Sequence, residues 1–318
     1  RPSLERRAIA QADTRRGNLI GGLKFLFAGQ GEGRWRRAVR SDYNAWWPSF
    51  VLTTCSVAHQ RAASFSLLPF CVSPIDSGPH SLGPLGTYML STPTLTDSQL
   101  AEFNDIGFVV IRGAFGTEEM ATIDRWCAEI LAAPEVSGRH WVYHERADGN
   151  DLVSRIENIY PFHDGFAQLI DVLAVPTAQL LGEDAQVFKE KVNFKMPGGD
   201  GFTPHQDSQA GWNAYADFFI SALVSVDAAT VENGCLELCA GQHNRGLFKS
   251  WAPLSEADME GMVFESVPTQ PGDVVFFDCF APHRSEPNRT DTMRRIYYAT
   301  YNRASAGAHM EQYYADKF

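Results

Sequence analysis

The sequence lacks the features that mark membrane-spanning and disulfide-stabilised proteins. No stretch approaches the roughly 18–20 consecutive apolar residues that a membrane-spanning helix requires. Its six cysteines include no Cys-x-x-Cys pair and are too sparse for a disulfide framework. These absences argue against a membrane partner and predict free thiols in a reducing compartment, which we expect to be the cytoplasm.

The first 88 residues lack methionine and hold almost no lysine. Residues 1–88 carry 11 Lys and Arg against 5 Asp and Glu, and Lys24 is the one lysine among those basic residues. Three interpretations fit this segment: an organellar transit segment, a disordered basic arm, or a non-native leader translated from upstream sequence. We favour the leader, because the first methionine, Met89, coincides with an abrupt change in composition. We therefore expect the functional domain to span residues 89–318.

Residues 89–318 lack the basic excess of a nucleic-acid-binding protein. They contain 16 Lys and Arg against 33 Asp and Glu, which makes this part of the chain strongly acidic. Because phosphate backbones repel such a charge, the composition argues against a nucleic-acid partner.

Helical spacing of apolar residues predicts three helices in the first half of this domain. The first follows an N-cap at Thr96 and ends at Gly107, and the second is capped by Thr117. A short buried strand, Phe108–Ile111, separates these two helices. The third helix is predicted over residues 166–181.

The second half of the domain has the pattern of short strands. Alternation over residues 187–196 predicts a strand with Val187 and three lysines on one face and Phe188 on the other, and alternating lysines usually mark an exposed face. Further strands are predicted over residues 218–226, 235–239, 262–267, 273–278 and 294–301. Helices followed by such strands predict an α+β fold with a mainly β core. We expect a double-stranded β-helix, or cupin-like jelly roll, buttressed by N-terminal helices.

His205 and Asp207, in the stretch HQDSQAGW, form a His-x-Asp pair. In an extended chain both side chains point to one face, as two ligands of one metal ion must. Taken alone, such a pair is more often a polar turn. His283 is the best placed third ligand, because it follows the predicted strand 273–278 and a strand end can deliver it to the barrel mouth. Two histidines and one carboxylate on one face of an ion are typical of non-haem Fe(II) oxygenases.

Arg294 follows eleven residues beyond His283, at the start of a predicted strand. It shares a strand face with Tyr298 and Thr300. If that face is inward, the buried guanidinium needs an anion, and its planar fork matches a carboxylate. The alternative is a solvated charge pair with Arg295, but the spacing favours Arg294 as the inward residue. Together with the metal ligands, this pattern indicates iron and a dicarboxylate cosubstrate.

Four segments in order resemble the phytanoyl-CoA dioxygenase family of Fe(II)/2-oxoglutarate oxygenases. They are FKEKVNFKMPGGDGFTPHQDSQAGW, ENGCLELCAGQHNRGLF, PGDVVFFDCFAPHRSEPN and YNRASAGAHMEQYYADKF. The resemblance covers residues from about 94 to 318, and within the family these segments are similar to bacterial hydroxylases of aminoalkylphosphonates.

The resemblance implies a role for each matching residue. His205, Asp207 and His283 would bind Fe(II). Residues that would contact 2-oxoglutarate are Arg294 and Ser285 at its distal carboxylate, Lys191 and Asn193 at its metal-proximal end, and Gln206. Strict strand alternation would turn Gln206 away from the iron.

The activity implied by the resemblance is hydroxylation of a substrate C–H bond. It consumes 2-oxoglutarate and O2 at Fe(II) and releases succinate and CO2, with ascorbate as a candidate stimulant. Because halogenating relatives have a small residue at the position of Asp207, the carboxylate implies hydroxylation rather than halogenation.

The implied substrate is a small polar molecule, with 2-aminoethylphosphonate or its N-methylated form as the leading candidates. A phosphonate needs cations or donors, and an amine needs an aromatic wall or a carboxylate. Candidate substrate residues are Arg155, Asn158, Trp212, Tyr215, Asn302 and Asp316. Two alternatives stay open: a hydroxylase of the same family acting on a secondary metabolite or acyl substrate, and a redox-neutral, cupin-like metal-binding protein.

Overall fold

Two antiparallel sheets form the frame of residues 89–147 and 150–317, the part of the chain that the computed structural model describes. The leader predicted over residues 1–88 lies outside the described residues. The strands are β1 (Phe108–Ile111), β2 (Trp141–Ala147), β3 (Asn150–Glu157), β4 (Ala185–Lys195), β5 (Phe202–His205), β6 (Phe219–Ser225), β7 (Leu236–Leu238), β8 (Glu265–Val267), β9 (Val274–Asp278), β10 (His283–Ser285) and β11 (Arg294–Arg303). The helices are α1 (Asp97–Ile106), α2 (Thr117–Ala132), α3 (Asp164–Leu181) and α4 (Met310–Asp316).

The larger sheet has seven strands and the smaller has four. Their orders are β1-β9-β6-β11-β4-β3-β2 and β5-β10-β7-β8. Apolar side chains from both sheets, such as Leu223 and Leu236, pack together between them. This double sheet with helices on one side confirms the predicted α+β fold with a jelly-roll core.

Strand alternation divides the apolar residues of the larger sheet between two cores. On β9, Val274 and Phe276 pack against the helices. Their neighbours Val275 and Phe277 pack between the two sheets. The larger sheet is therefore covered on both faces, which explains the long runs of apolar residues in its strands.

The helices begin and end at local capping residues. Thr96 caps α1 through a capping box with Gln99, and Gly107 ends that helix in a left-handed conformation with φ of 88°. The predicted cap of α2 at Thr117 was wrong by one residue. Gly116 is the N-cap, because its amide donates to the Glu119 side chain and the helix starts at the next residue. No helix among the described residues is long and apolar enough to cross a membrane.

A β-bulge in β4 changes the faces that simple alternation predicts. Thr300 pairs with Lys189, but the next residue, Tyr301, pairs with Val187, so Phe188 is an extra residue on β4. Phe188 consequently lies on the cavity side with Lys189, while Val187 joins the core under the helices. The predicted faces of Val187 and Phe188 were therefore wrong.

The β2–β3 hairpin and helix α4 have no counterpart in the sequence prediction. The hairpin joins the larger sheet through β3, which places Arg155 opposite Asn193 and Glu157 opposite Lys191. Helix α4 packs against β4. Both elements bring charged residues beside the cavity that the two sheets enclose.

Candidate active site

Strand pairing brings the three predicted metal ligands together. β5 and β10 are antiparallel neighbours, and His205 lies directly opposite His283, with 4.0 Å between the ring centroids. Asp207 begins the short 3-10 turn that follows β5, and its Oδ1 lies 3.8 Å from Nε2 of His283. One potential ligand atom from each residue lies within 4.8 Å of the other two. The three side chains can therefore share one metal ion.

Hydrogen bonds to neighbouring groups orient these three side chains. Nδ1 of His205 lies 2.6 Å from the carbonyl of Thr203, and Nδ1 of His283 lies 3.0 Å from that of Ala281. Each ring therefore donates from Nδ1 to the backbone, which makes Nε2 the ring atom for a metal. Oδ2 of Asp207 accepts from the Ser221 hydroxyl at 2.9 Å.

Burial and neighbouring groups together keep the ligands in the protonation states that metal binding requires. It lowers the pKa of His205 to about 3, with a further contribution from the nearby ring of His283, whose own pKa burial also lowers. Burial opposes ionisation of Asp207, but His283 and Lys191 outweigh this and hold its pKa below the usual value. Neutral imidazoles and an ionised carboxylate are the ligand forms for Fe(II), and two histidines with one carboxylate leave three coordination positions open. The donor set therefore fits iron.

A cavity between the sheets surrounds the triad. Its wall includes five more of the predicted site residues: Arg155, Lys191, Asn193, Trp212 and Ser285. The aromatic lining includes Tyr298, and Thr300 follows it on the same face of β11, as the strand pattern predicts. Sequence and structure thus agree on most of the wall nearest the metal ligands.

Gln206 does not line this cavity, although it lies between two metal ligands. Its side-chain nitrogen donates to the carbonyls of Gly246 and Phe280 at 2.8 and 2.7 Å. Its side-chain oxygen accepts from the amide of Phe248 at 2.8 Å. The expected contact of Gln206 with the cosubstrate is at odds with this placement, since strand alternation turns the side chain toward backbone groups that use both its polar atoms.

Four predicted substrate residues also lie outside the cavity wall. The Asn158 amide donates to the carbonyl of Arg139, and the Asn302 amide donates to that of Gly307. Tyr215 donates to Asp316 at 2.9 Å near the surface. The structure therefore does not place Asn158, Asn302, Tyr215 or Asp316 in the cavity wall, and their roles in substrate binding stay predictions.

Two buried cations lie side by side near Ser285. Arg294 is opposite Lys195 in the β11–β4 pair, and neither makes an ion pair within the described part of the chain. Lys195 donates to the Ser285 hydroxyl at 2.8 Å, and burial together with Arg294 lowers its pKa to about 7. Arg294 is not part of the cavity wall, but its buried Nε has no hydrogen-bond partner among the described residues. This pair is suited to the distal carboxylate of a dicarboxylate, so the roles expected for Arg294 and Ser285 stay a prediction.

Sequence reasoning missed how many lysines of β4 face inward. Lys189 and Lys195 are buried, and Lys189 and Lys191 line the cavity rather than an exposed strand face. No local signal marked them, because lysines that alternate with apolar residues such as Val192 and Phe194 are the usual pattern of a strand with one exposed face.

The fold and the site can be compared with known proteins. The family model of phytanoyl-CoA dioxygenase (PhyH) matches residues 103–296. A methylphosphonate hydroxylase from Gimesia maris is 38% identical over 229 residues, which cover 70% of this chain and 87% of that protein. A 2-aminoethylphosphonate dioxygenase from an uncultured bacterium is 34% identical over 235 residues, with the same two coverages.

A solved structure shares the fold. EctD from S. alaskensis, crystallised with 2-oxoglutarate and 5-hydroxyectoine, superposes with a TM-score of 0.60 at 23% identity. The match covers 71% of this chain and 82% of EctD. The chain therefore belongs to the phytanoyl-CoA dioxygenase family and is a 2-oxoglutarate-dependent dioxygenase, in which His205, Asp207 and His283 can hold the iron.

Proposed function

We propose that this dioxygenase hydroxylates a C–H bond of a small phosphonate and releases succinate and CO2. The observation that carries the proposal is the positive charge of the cavity around the metal ligands. Four basic side chains line the cavity: Arg155, Lys189, Lys191 and Arg284. Arg284 pairs with Glu237, and enclosure lowers the pKa of Lys191 to about 7, so Arg155 and Lys189 carry most of this charge. Lys189 is buried, and the other three are partly buried.

Few carboxylates oppose these cations within the cavity wall. Asp207 belongs to the metal site, and Oε1 of Glu190 accepts from the backbone amides of Ile159 and Tyr160. Burial raises the pKa of Glu190 to about 8, so it adds little negative charge at neutral pH. Glu157 pairs with both Arg155 and Lys189 from outside the wall, so these two cations outnumber their carboxylate. Because enclosing an excess of one charge is costly, this wall is suited to an anionic ligand. The cosubstrate 2-oxoglutarate is one anion, and these cations can bind another. They therefore support a substrate that has an acidic head group.

The relatives support a phosphonate as that anion. Both bacterial relatives act on phosphonates by name, and each aligns over 70% of this chain. A phosphonate presents three oxygens that accept charge-assisted hydrogen bonds from lysine and arginine.

The charge of the wall favours an alkylphosphonate without an amine. An ammonium group needs a carboxylate or an aromatic cage, yet Tyr215 and Asp316 lie outside the cavity wall. The rings of Trp212 and Tyr298 do line the cavity, but they already face the amines of Lys189 and Lys191. Glu157 is close by but already contacts Arg155 and Lys189. We therefore place methylphosphonate first and 2-aminoethylphosphonate or its N-methylated form second.

The residues of this chain bind and orient the substrate. Bound Fe(II), with 2-oxoglutarate and O2, supplies the oxidising chemistry for C–H hydroxylation. Cations on β3 and β4 hold the phosphonate, so that its alkyl group points toward the triad. Trp212 and Tyr298 line the cavity and help to exclude water from the reacting carbon.

Succinate release with a phosphonate panel tests this function. We expect the Fe(II)-loaded protein to form succinate with methylphosphonate and less with 2-aminoethylphosphonate, and phosphorus NMR to detect the hydroxylated product. His144→Ala is a matched control, because His144 pairs with Glu135 away from the triad. Absence of succinate with every phosphonate would contradict the proposal.

We also propose that the protein works on a small molecule in the cytoplasm, not on nucleic acid or membranes. Support comes from the described cysteines 127, 235, 239 and 279, which are buried and form no disulfide. Fractionation of the host cell tests this location, and recovery in an oxidising compartment would contradict it.

A further inference from the structure

Four charged side chains from three parts of the fold meet at one side of the cavity. Arg155 and Glu157 come from β3, Lys189 comes from β4, and Lys317 follows helix α4. Glu157 is 1% exposed, and the side chains of Lys189 and Lys317 are each 9% exposed. Three cations therefore share one carboxylate in a largely dry environment.

The two oxygens of Glu157 divide these partners between them. Oε1 lies 3.1 Å from Nε of Arg155 and 3.7 Å from Nζ of Lys189. Oε2 forms a short ion pair with Lys317. Burial opposes ionisation of Glu157, but the cations, Lys189 foremost, outweigh this and hold its pKa well below the usual value. Burial lowers the pKa of Lys317 to about 7, but Arg155 and Lys189 alone outnumber the one carboxylate. The group therefore keeps an excess of positive charge, which an anion can balance.

Aromatic rings hold Lys317 in a fixed place. Its Nζ lies 5.2–5.4 Å from the ring centroids of Trp141, Tyr143, Tyr313 and Tyr314. Two of these rings also contact the other cations. Arg155 stacks on Tyr143 at 4.0 Å, and Lys189 donates to the Tyr313 hydroxyl at 3.0 Å. Lys317 and the two cations on the strands are thus linked through shared aromatic neighbours.

Only one side of this arrangement reaches the cavity. Arg155 and Lys189 line the cavity, whereas Glu157 and Lys317 are not part of its wall. Lys195 and Arg294 form a separate cationic pair at Ser285, which is suited to the cosubstrate. Arg155 and Lys189 are therefore a second group of cations, separate from the pair suited to the cosubstrate, and are available for another anion.

We propose that Arg155 and Lys189 receive the anionic head group of the substrate, and that Glu157 and Lys317 are positioning residues that hold this pair in place. The inference rests on the proposed function, which it extends to named residues. Trp212 supports the placement, because it lines the cavity beside Lys189 and its buried Nε1 has no hydrogen-bond partner among the described residues. An oxygen of the head group can accept from this indole.

Variants of Lys317 test the positioning role without touching the cavity wall. In the full-length enzyme, Lys317→Met should raise KM for methylphosphonate at least tenfold and change kcat less than threefold, since one order of magnitude corresponds to the loss of one well-placed ionic contact (about 1.4 kcal/mol). The affinity for 2-oxoglutarate, read from the absorbance of the Fe(II) complex, should stay within about twofold, as expected for sites with separate partners. Lys317→Arg should restore most of the loss, because it keeps the charge. Lys249→Met, which removes a lysine paired with Asp258, should match the wild type.

A double-mutant cycle separates positioning from general damage. In the Arg155→Met/Lys189→Met background, adding Lys317→Met should raise KM no further, because Lys317 acts through those two residues. If Lys317→Met does not fold, Glu157→Asp gives a second test, since the shorter side chain withdraws its carboxylate from the cations. We expect Glu157→Asp to raise KM for methylphosphonate and leave 2-oxoglutarate binding unchanged.

The outcomes distinguish the two proposals. An unchanged KM in folded Lys317→Met, or an equal loss of 2-oxoglutarate affinity, overturns the positioning role. A wild-type enzyme that turns over no phosphonate overturns the proposed function instead. In that case the same KM comparison, made with whichever anionic substrate the wild type does hydroxylate, decides the role of Lys317.

Discussion

On strand β4, Val192 and Phe194 face the helices, while Lys191 and Asn193 face the smaller sheet. The apolar pair is fully buried among other apolar side chains. On the cavity face, enclosure lowers the pKa of Lys191 to about 7, and Lys189 and Arg155 add to this effect. Burial of apolar groups stabilises the fold, whereas an enclosed, unpaired cation costs free energy. The helix-facing side of the larger sheet therefore stabilises the fold, whereas the cavity-facing side keeps charged groups that can bind ligands.

The largest effect should follow from removing a metal ligand on the cavity side. We expect His283→Ala to lose bound iron and to lower turnover by more than about a hundredfold. Loss of a residue that only orients a metal ligand costs up to about a hundredfold, and loss of a ligand should cost more. The melting temperature in the absence of metal should change little, because the helix-side core is untouched. Metal analysis and succinate assays measure the first effect, and normal iron content would contradict the assigned site.

A substitution on the helix-facing side of β4 should instead lower stability. Phe194 is fully buried, so we expect Phe194→Ala to lower the free energy of unfolding by about 3–5 kcal/mol. Lys191→Met is the matched change on the cavity face. We expect it to leave the free energy of unfolding unchanged or raise it by up to about 2 kcal/mol, while turnover falls. Urea denaturation checks both, and equal destabilisation by the two variants would contradict the division between the faces.

Ser221 tests the support behind the metal site. Its hydroxyl donates to Asp207 and lies 3.1 Å from that of Thr300. We expect Ser221→Ala to weaken iron binding by about 10–100-fold, because partners that orient a ligand affect metal affinity on this scale. The free energy of unfolding should change by only about 1 kcal/mol. Iron titration gives the affinity, and Ser225→Ala, whose hydroxyl pairs with Thr269 instead, is the control.

The smallest expected effect concerns protons at the Lys195–Arg294 pair. Since burial and Arg294 lower the pKa of Lys195 to about 7, most of its amine is unprotonated at pH 8 before a ligand binds. A carboxylate at Ser285 raises that pKa, so binding of 2-oxoglutarate takes up protons there. Affinity should therefore fall as pH rises above 7, by at most about tenfold per pH unit.

Calorimetry measures this proton uptake directly. Titrations at pH 8 in two buffers with different ionisation enthalpies should show uptake of less than one proton per bound 2-oxoglutarate. Lys195→Met should abolish the uptake. Proton release in the wild type would contradict the placement of a carboxylate beside Lys195.

Local patterns predicted much of the fold. The N-cap at Thr96 and the end of α1 at Gly107 are confirmed, because capping depends on residues three or four apart. Most strands of the larger sheet were found from short runs of apolar residues, and β4 was found from alternation. The β2–β3 hairpin was missed, since its side chains are mostly half-buried and polar, and its place in the sheet depends on pairing with the distant strand β4.

The candidate site divides in a similar way. His205, Asp207 and His283 were predicted from residue type and strand position, and the structure brings them together. The lysines of β4 were assigned to a usual exposed face, because alternation alone does not say which side a second sheet covers. Glu157 and Lys317 gave no signal, as they are far apart in sequence and meet only after α4 packs on β4.

The sequence by itself determined the candidate metal ligands and most of the residues that alternate toward each face, because side-chain direction along a strand repeats every two residues. The tertiary structure decided where that alternation shifts along β4 and which residues of other elements face the strand. The bulge at Phe188 moves the face by one residue, and the hairpin and Lys317 bring Arg155, Glu157 and Lys189 together. The contact between Glu157 and Lys317 joins positions 160 residues apart, and no local spacing encodes it.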